Sequence, residues 1–525
     1  MKPLSPHWAD QTAARVARNK PSNTTFTVAS GITPSGTVHI GNFREVITVD
    51  LVARALRSLD KEVRFIYSWD DFDTFRKVPK NLPNQEMLQT HLKRAICRVP
   101  DPHGETESYA AANIKRFEDE IIQLGIEPEY LYQHKRYGDG LYAESIRRSL
   151  EQKEKIKEIL NKHRTTPLPD DWLPTAVYCE SCGRDEMDYQ RYPGDWSYAY
   201  KCASCGHETE IDIRHTKDLK LNWRTDWPMR WVYERVDFEP GGKDHSSEGG
   251  SFDTAKQIVK DIWDREAPEY LQYDFVSIKG GAGKMSSSSG HLISLSEALA
   301  VYEPQLIRWI FASQRPNHDF SLAFDQDVIK VHDEFDRAEA AALGPKPEKL
   351  GKWPLIRRTY ELSCVGEVPT EAPYRAPYRE LCNRLQIFDG DAEKTLNRYY
   401  SDKVKTETDR TLFLNRCERA WTWLTTLAPD EFRYQINKDS PEIQLSTLQS
   451  SALDNLKSLV ETVDLDTIEA NDLNQKIYDD VIRATDVDAK EFFQAVYQKL
   501  ISRDKGPRLP SFLKEIGRDR LLNLL

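Results

Sequence analysis

Apolar positions recur along this chain in two rhythms, a strand and helix alternation at the start and a purely helical period at the end. Phe26, Thr27, Val28 and Ala29 form a short β-branched run that reads as a buried strand. Gly31, Pro34 and Gly36 break it, and Phe43, Val46, Ile47, Val49 and the stretch from Leu51 to Leu56 then follow the spacing of an amphipathic helix. A second strand is expected at Val63 to Tyr67. Strand, crossover helix and strand in such a short span predict a parallel, right-handed unit. That unit places the glycine turn and the helix N-terminus at the carboxyl edge of a sheet, where ligands bind. Gln85 to Leu124 reads as mostly helical, interrupted from Pro100 to Gly104. From Leu355 onward the period is helical throughout, as in Leu453, Leu456, Leu459, Val460 and Val463, and again in Phe492, Phe493, Val496, Tyr497 and Leu500.

The first turn carries polar residues that a plain connection does not need. Gly36 and Gly41 have the spacing of a P-loop, yet Asn42 and Phe43 stand where that loop requires Lys and Ser/Thr, and no GxGxxG follows the strand. His39 and Asn42 lie three residues apart on the first helical turn and so share one face. Both donors and the helix dipole can then converge on the same phosphate oxygens, with Gly41 allowing close approach. Asp70, Asp71 and Asp73 follow the second strand directly, where three carboxylates fit a metal, acid/base work, a cationic substrate or a capped turn. Further on, Gly241 and Gly242 precede Asp244 and His245 in what reads as another sheet-edge loop, with an acid placed to accept from ribose hydroxyls. Trp223, Trp227 and Trp231 are dense enough to wall a pocket, and packing beneath an inserted segment is the expected role of Trp223 and Trp231.

Cysteine spacing adds a metal. Cys179-x-x-Cys182 and Cys202-x-x-Cys205, each pair followed by a glycine, can present four thiolates tetrahedrally to Zn²⁺, and an all-cysteine set leaves no open position for catalysis. Cys97, Cys364, Cys382 and Cys417 have no such partner and read as ordinary thiols. Composition changes little: 525 residues with 30% charged and 39% hydrophobic are enough for several ordinary globular domains. No apolar run reaches the ~18 residues of a membrane span and Met1 to Val16 has no signal-peptide core, so a cytoplasmic protein without a membrane partner is expected. A net charge of -11 argues against nucleic-acid binding by bulk attraction, although Lys and Arg outnumber Asp and Glu from His134 to Arg164.

Ile278, at the end of a third apolar run, leads into a glycine-rich stretch and then Lys284, Met285, Ser286, Ser287, Ser288 and Ser289. Here the glycines give reach, the lysine gives charge and the serines add hydroxyl donors without bulk, which suits a phosphate clamp. His39-Ile-Gly-Asn42 resembles the HIGH signature of class I aminoacyl-tRNA synthetases, and Lys284-Met-Ser-Ser-Ser288 resembles their KMSKS loop, in the family's order. With the acidic cluster, the four-cysteine ribbon, the tryptophan segment and the Gly-Gly-Lys-Asp-His run, the chain from about Ser22 to Phe320 is similar to the class I lysyl-tRNA synthetases.

That resemblance implies an α/β fold: a Rossmann-type parallel-sheet catalytic domain over 1–290 with a zinc ribbon inserted at 165–215, a stem-contact helical segment over 291–345 and an all-α anticodon-binding domain over 355–525. It implies activation of L-lysine with ATP and Mg²⁺ and transfer to tRNA(Lys), with no DNA partner. By the same resemblance His39, Asn42 and Lys284 act on the phosphates, and Gly41, Asp244, Ile278, Met285, Ser286 and Ser287 complete the nucleotide site. Gly31, Thr33, Trp227 and His245 would hold lysine, with Asp70, Asp71 or Asp73 as partner of its ε-ammonium. Two departures bear on this: Ser289 occupies the family's second loop lysine, and Glu105, Thr106 and Ala112 stand where archaeal relatives carry extra Cys/His ligands, so no second zinc is carried over. A glutamate-specific relative, a small nucleotidylyltransferase and a non-catalytic RNA-binding paralogue are the competing readings.

Overall fold

The computed structural model describes residues 6–21, 23–80, 82–279 and 293–525, which fall into two compact units. Unit 1 comprises residues 1–322 and 338–371, and unit 2 comprises 323–337 and 372–525. Unit 1 is built on five strands: β1 (Thr25–Ile32), β2 (Glu62–Trp69), β3 (Glu129–Tyr132), β9 (Val236–Gly242) and β10 (Glu269–Tyr273). They run in the spatial order β10-β9-β1-β2-β3, and every neighbouring pair is parallel. The chain enters at the central strand β1, works outward to β3 and then returns to β9 on the other side of β1. A crevice between β1 and β9 is therefore left at the carboxyl edge, the switch point where doubly wound sheets bind ligands.

Burial on both faces explains the continuous apolar runs. Residues 26–30 of β1 are all buried, and α2 (Ile40–Arg57), which crosses from β1 to β2, is buried along most of its length. A further helix, α1 (Trp8–Asn19), packs against α2. The region from 85 to 124 is less helical than its composition indicates. One short helix and one turn precede α3 (Tyr109–Ile122), because Asp101 caps the Pro100 to Gly104 turn by accepting from the backbone of His103, Glu105 and Thr106.

Between β3 and β9 lies the insertion. β4 (Thr175–Val177) pairs antiparallel with β8 (Leu219–Leu221), and β5 (Met187–Gly194), β6 (Ser197–Cys202) and β7 (Glu208–Asp212) form an antiparallel sheet. Helix α4 (Trp223–Tyr233) leads back into β9, and α5 (Ser251–Trp263) connects β9 to β10. The last strands of the unit, β11 (Val276–Ile278) and β12 (Phe320–Leu322), pair with each other.

Unit 2 is helical, with no strand among its described residues. Its core joins Leu453, Leu456, Leu459 and Val460 of the helix Thr447–Thr462 to Phe492, Val496 and Leu500 of the helix Ala489–Ile501. These are the positions marked by the helical period. Among the described residues no helix is long and apolar enough to cross a membrane.

Candidate active site

At the switch point a cavity of about 510 Å³ opens between the ends of β1, β2 and β9 and the start of α2. Gly31, Thr33, His39, Gly41, Asn42, Asp70, Asp73, Trp227, Asp244 and His245, all expected from the sequence, line it together. Glycine is required at 31, where a Cβ would lie 2.7 Å from the Ser68 carbonyl oxygen.

His39 is the N-cap of α2. Its Nδ1 accepts from the Gly41 amide at 3.1 Å, while Asn42 Oδ1 accepts from the His39 amide at 3.2 Å. This reciprocal capping box fixes both rings of contact at the mouth of the helix, and it leaves the neutral imidazole proton on Nε2. The sequence spacing indicates a shared face; the structure adds that the Asn42 side chain is held by the His39 amide and the His39 ring by the Gly41 amide.

The three aspartates part company. Asp71 does not line the cavity: it is buried against His134, accepting from that residue's ring and, at 2.8 Å, from its backbone amide. Asp70 accepts from Arg230 at 2.7 Å, and Arg230 is also paired with the buried Asp226. Asp73 accepts from Thr33 at 2.9 Å and is ion-paired with Lys220. Burial alone would lower the Lys220 pKa, but the adjoining carboxylate more than reverses this and keeps the ammonium charged. All three carboxylates are thus engaged by basic groups of the chain itself.

Two carboxylates that the acidic cluster overshadowed line the same cavity and hold neutral donors. Glu45 Oε1 accepts from the Gly31 amide at 3.0 Å and from Ser30 Oγ at 3.1 Å, while Oε2 accepts from the Tyr273 hydroxyl at 2.6 Å. Burial raises its pKa, and these hydrogen bonds oppose the rise. Glu239 accepts from the indole N–H of Trp227 at 3.0 Å and from that of Trp231, and burial raises its pKa to about 7. Each had a sequence signal: Glu45 is an acid inside the apolar start of α2, and Glu239 is one of two acids, with Asp237, among the apolar residues of β9.

The tryptophans form a ladder at i, i+4 and i+8 on α4, with ring centroids 5.9 Å apart for Trp223 and Trp227 and 4.7 Å apart for Trp227 and Trp231. Trp231 is core, as expected. Trp223 is not: it is 41% exposed and stands at the rim of the cavity beside His245, because the helical face that carries the ladder runs from the core outward. Phe275 and Val276 of the β11 segment also line the cavity, whereas Ile278 is not among its lining residues. Lys284, Met285, Ser286 and Ser287 lie outside the described residues.

In the insertion, the four sulfurs of Cys179, Cys182, Cys202 and Cys205 lie within 4.8 Å of one another, with closest pairs at 3.6 Å. A tetrahedral zinc–thiolate centre has sulfur–sulfur edges of roughly 3.8 Å, from its ~2.3 Å bonds, so the cluster fits one metal ion. Gly183 and Gly206 both adopt φ +75°, the left-handed turn that each knuckle needs.

Residues 6–365 match the family described as tRNA synthetases class I (K). A protein named lysine–tRNA ligase from Borreliella burgdorferi is 44% identical over 516 residues, covering 98% of this chain and 98% of its own. Proteins of the same name from Treponema pallidum and Pyrococcus horikoshii are 42% and 39% identical, covering 99% of this chain and 98% and 99% of theirs. On the extent of that match and on these full-length similarities, the chain belongs to the class I (K) tRNA synthetase family.

Proposed function

We propose that this chain is a lysine–tRNA ligase, activating L-lysine with ATP and transferring it to tRNA(Lys) at the β1/β9 cavity. The observation that carries the choice of amino acid is Glu45, a carboxylate inside the cavity held by an amide and two hydroxyls and, among the described residues, by no ion-paired cation. A lysine ε-ammonium reaching it would complete a charge pair, since a buried cation without a partner costs several kcal/mol. Trp227 supplies an aromatic wall for the alkyl chain. A glutamate substrate would instead bring a third carboxylate up to Glu45 and Glu239, which disfavours the glutamate-specific reading.

The reaction balances in two displacements. The lysine carboxylate attacks the α-phosphorus of ATP and pyrophosphate leaves; the 2′-hydroxyl of the tRNA's terminal adenosine then attacks the adenylate carbonyl and AMP leaves. His39 and Asn42, with the N-terminus of α2, offer donors to the phosphate oxygens as charge redistributes, and Asp244 is placed to accept from ribose. Gly31 and Thr33 border the amino-acid end. Lys284 is assigned to the leaving pyrophosphate on its sequence motif, and Mg²⁺ accompanies the nucleotide. Cys179, Cys182, Cys202 and Cys205 would hold a structural zinc that cross-links the insertion. The stem-contact role falls to residues 291–345 and anticodon binding to the helical region from 355 onward. Charging places the protein in the cytoplasm.

Aminoacylation of total tRNA with each of the twenty labelled amino acids tests this reading. Lysine alone should be attached, and attachment of another amino acid in its place overturns it.

A further inference from the structure

Trp227 borders the reacting cavity, and the helix that carries it lacks a backbone hydrogen bond just beside it. Pro228 lies inside α4 and has no N–H to give to the Arg224 carbonyl, so the turn that holds the ring is looser than its neighbours. Ring packing does not set the orientation of Trp227 by itself. Its neighbours lie at tilted angles, 31° for Trp223, 58° for Trp231 and 54° for His245, and such contacts are only weakly directional. The one polar atom of the ring is Nε1, which donates to Glu239 Oε1 at 3.0 Å. The other oxygen of Glu239 accepts from the indole of Trp231, one turn further along α4. Glu239 itself is set in β9, in register with Tyr270 of β10. One carboxylate thus ties two rungs of the tryptophan ladder to the sheet, an oxygen for each indole.

The two indoles differ in what they would lose without it. Trp231 is 3% exposed and has no water to turn to, whereas Trp227 borders the cavity. An acceptor that can serve only one of them goes to Trp231, because a buried donor left unpaired costs more than one that water can reach.

We propose that Glu239 is a positioning residue for the amino acid: it fixes the orientation of the Trp227 ring, so that the alkyl chain of lysine meets a preset surface. It acts through the ring and not by pairing with the ε-ammonium, which falls to Glu45. The inference rests on the aminoacylation reading of the cavity.

Glu239→Gln in the full-length protein tests it, since the amide keeps the shape, offers one acceptor oxygen for two indoles and turns an NH₂ group toward the other. The KM for lysine should rise about 10-fold, the scale of one hydrogen bond to a charged group, with kcat and the KM for ATP nearly unchanged. Two further backgrounds separate positioning from plain stability. Trp227→Phe removes the N–H that Glu239 holds, so adding Glu239→Gln to it should change the lysine KM by less than about 2-fold. Trp231→Phe frees the single amide oxygen for Trp227, so adding it to Glu239→Gln should restore most of the lost lysine affinity. A 10-fold rise of about equal size in all three backgrounds makes Glu239 a direct partner of lysine and overturns the proposal, as does an unchanged lysine KM in Glu239→Gln. Should Glu239→Gln fail to fold alone, Trp231→Phe with and without it carries the test, and a rise of about 10-fold there overturns the proposal. The indole N–H resonances of ¹⁵N-tryptophan-labelled protein, assigned with the two Phe variants, need no substrate: Glu239→Gln should move the Trp227 signal, and an unmoved signal overturns the tether. Absence of binding of a non-hydrolysable lysyl-adenylate analogue to the wild type would count against the aminoacylation reading, leaving the resonances to judge the tether.

Discussion

Glu45 differs from the aspartates at 70 and 73 in what its oxygens already hold. Removing its charge while keeping its shape should affect the amino acid alone, so Glu45→Gln is expected to raise the KM for lysine ~10²-fold with the KM for ATP nearly unchanged. Unchanged lysine dependence in that variant would remove Glu45 from the pocket. Asp73→Asn should act differently: it leaves Lys220, whose side chain is only 8% exposed, without its carboxylate, and should cost roughly 3–5 kcal/mol of stability by thermal or denaturant unfolding. His39→Ala is expected to slow adenylate formation by ~10²-fold or more. Because it also removes the α2 cap, worth ~1 kcal/mol, its melting temperature must be read beside its rate. The sequence made His39, Asn42 and Asp244 legible because their residue types sit at the ends of recognisable strands. It made the acidic cluster equally visible, but a carboxylate's availability depends on its partners, and Arg230 and Lys220 are distant in the chain. Only the folded sheet brings them together.

Elements follow the same division. The β1-α2-β2 unit was readable because each segment is buried by its own periodicity, and the observed strands extend the expected ones by one residue at the N-terminal end and by two or three at the C-terminal end. The order β10-β9-β1-β2-β3 was not readable, since β9 joins β1 across the long insertion that follows β3 and nothing local in either strand records that pairing. Helix α1 gives a pH dependence. Its N-cap, His7, is buried; Nδ1 accepts from the Ala9 amide and Nε2 donates to the Ala312 carbonyl, so only the neutral ring satisfies both contacts. Burial lowers its pKa from 6.5 to about 4. A depressed native pKa means the stabilisation is complete above pH 6.5 and is lost as pH falls toward 4, because the unfolded ring takes up a proton first. Unfolding free energy should therefore decline across that window, and His7→Gln should flatten the decline in a pH series of denaturant melts. A profile identical to wild type would assign the acid sensitivity to other groups.

At the scale of the molecule, the helical unit closes around a core of its own, drawn from residues between Ile387 and Leu524. Leu456 is fully buried in it, and its truncation leaves a cavity that the surrounding Leu453, Phe492 and Val496 can fill only in part. Such truncations cost 2–5 kcal/mol, roughly, and the cost falls on the cooperative unit that contains the cavity. Leu456→Ala should accordingly accelerate amide exchange in the helices Thr447–Thr462 and Ala489–Ile501 by the ~30-fold or more that this energy implies, while the amides of β1 and β2 keep their protection. The chemical consequence follows from the division of labour proposed for the two units: the lysyl-adenylate analogue should bind the variant as it binds the wild type, and the KM for tRNA should rise as the helical unit opens. Loss of protection in β1 and β2 to the same degree would mean that the chain unfolds as one body, and an unchanged KM for tRNA at a temperature where the helical unit is open would take tRNA recognition away from it.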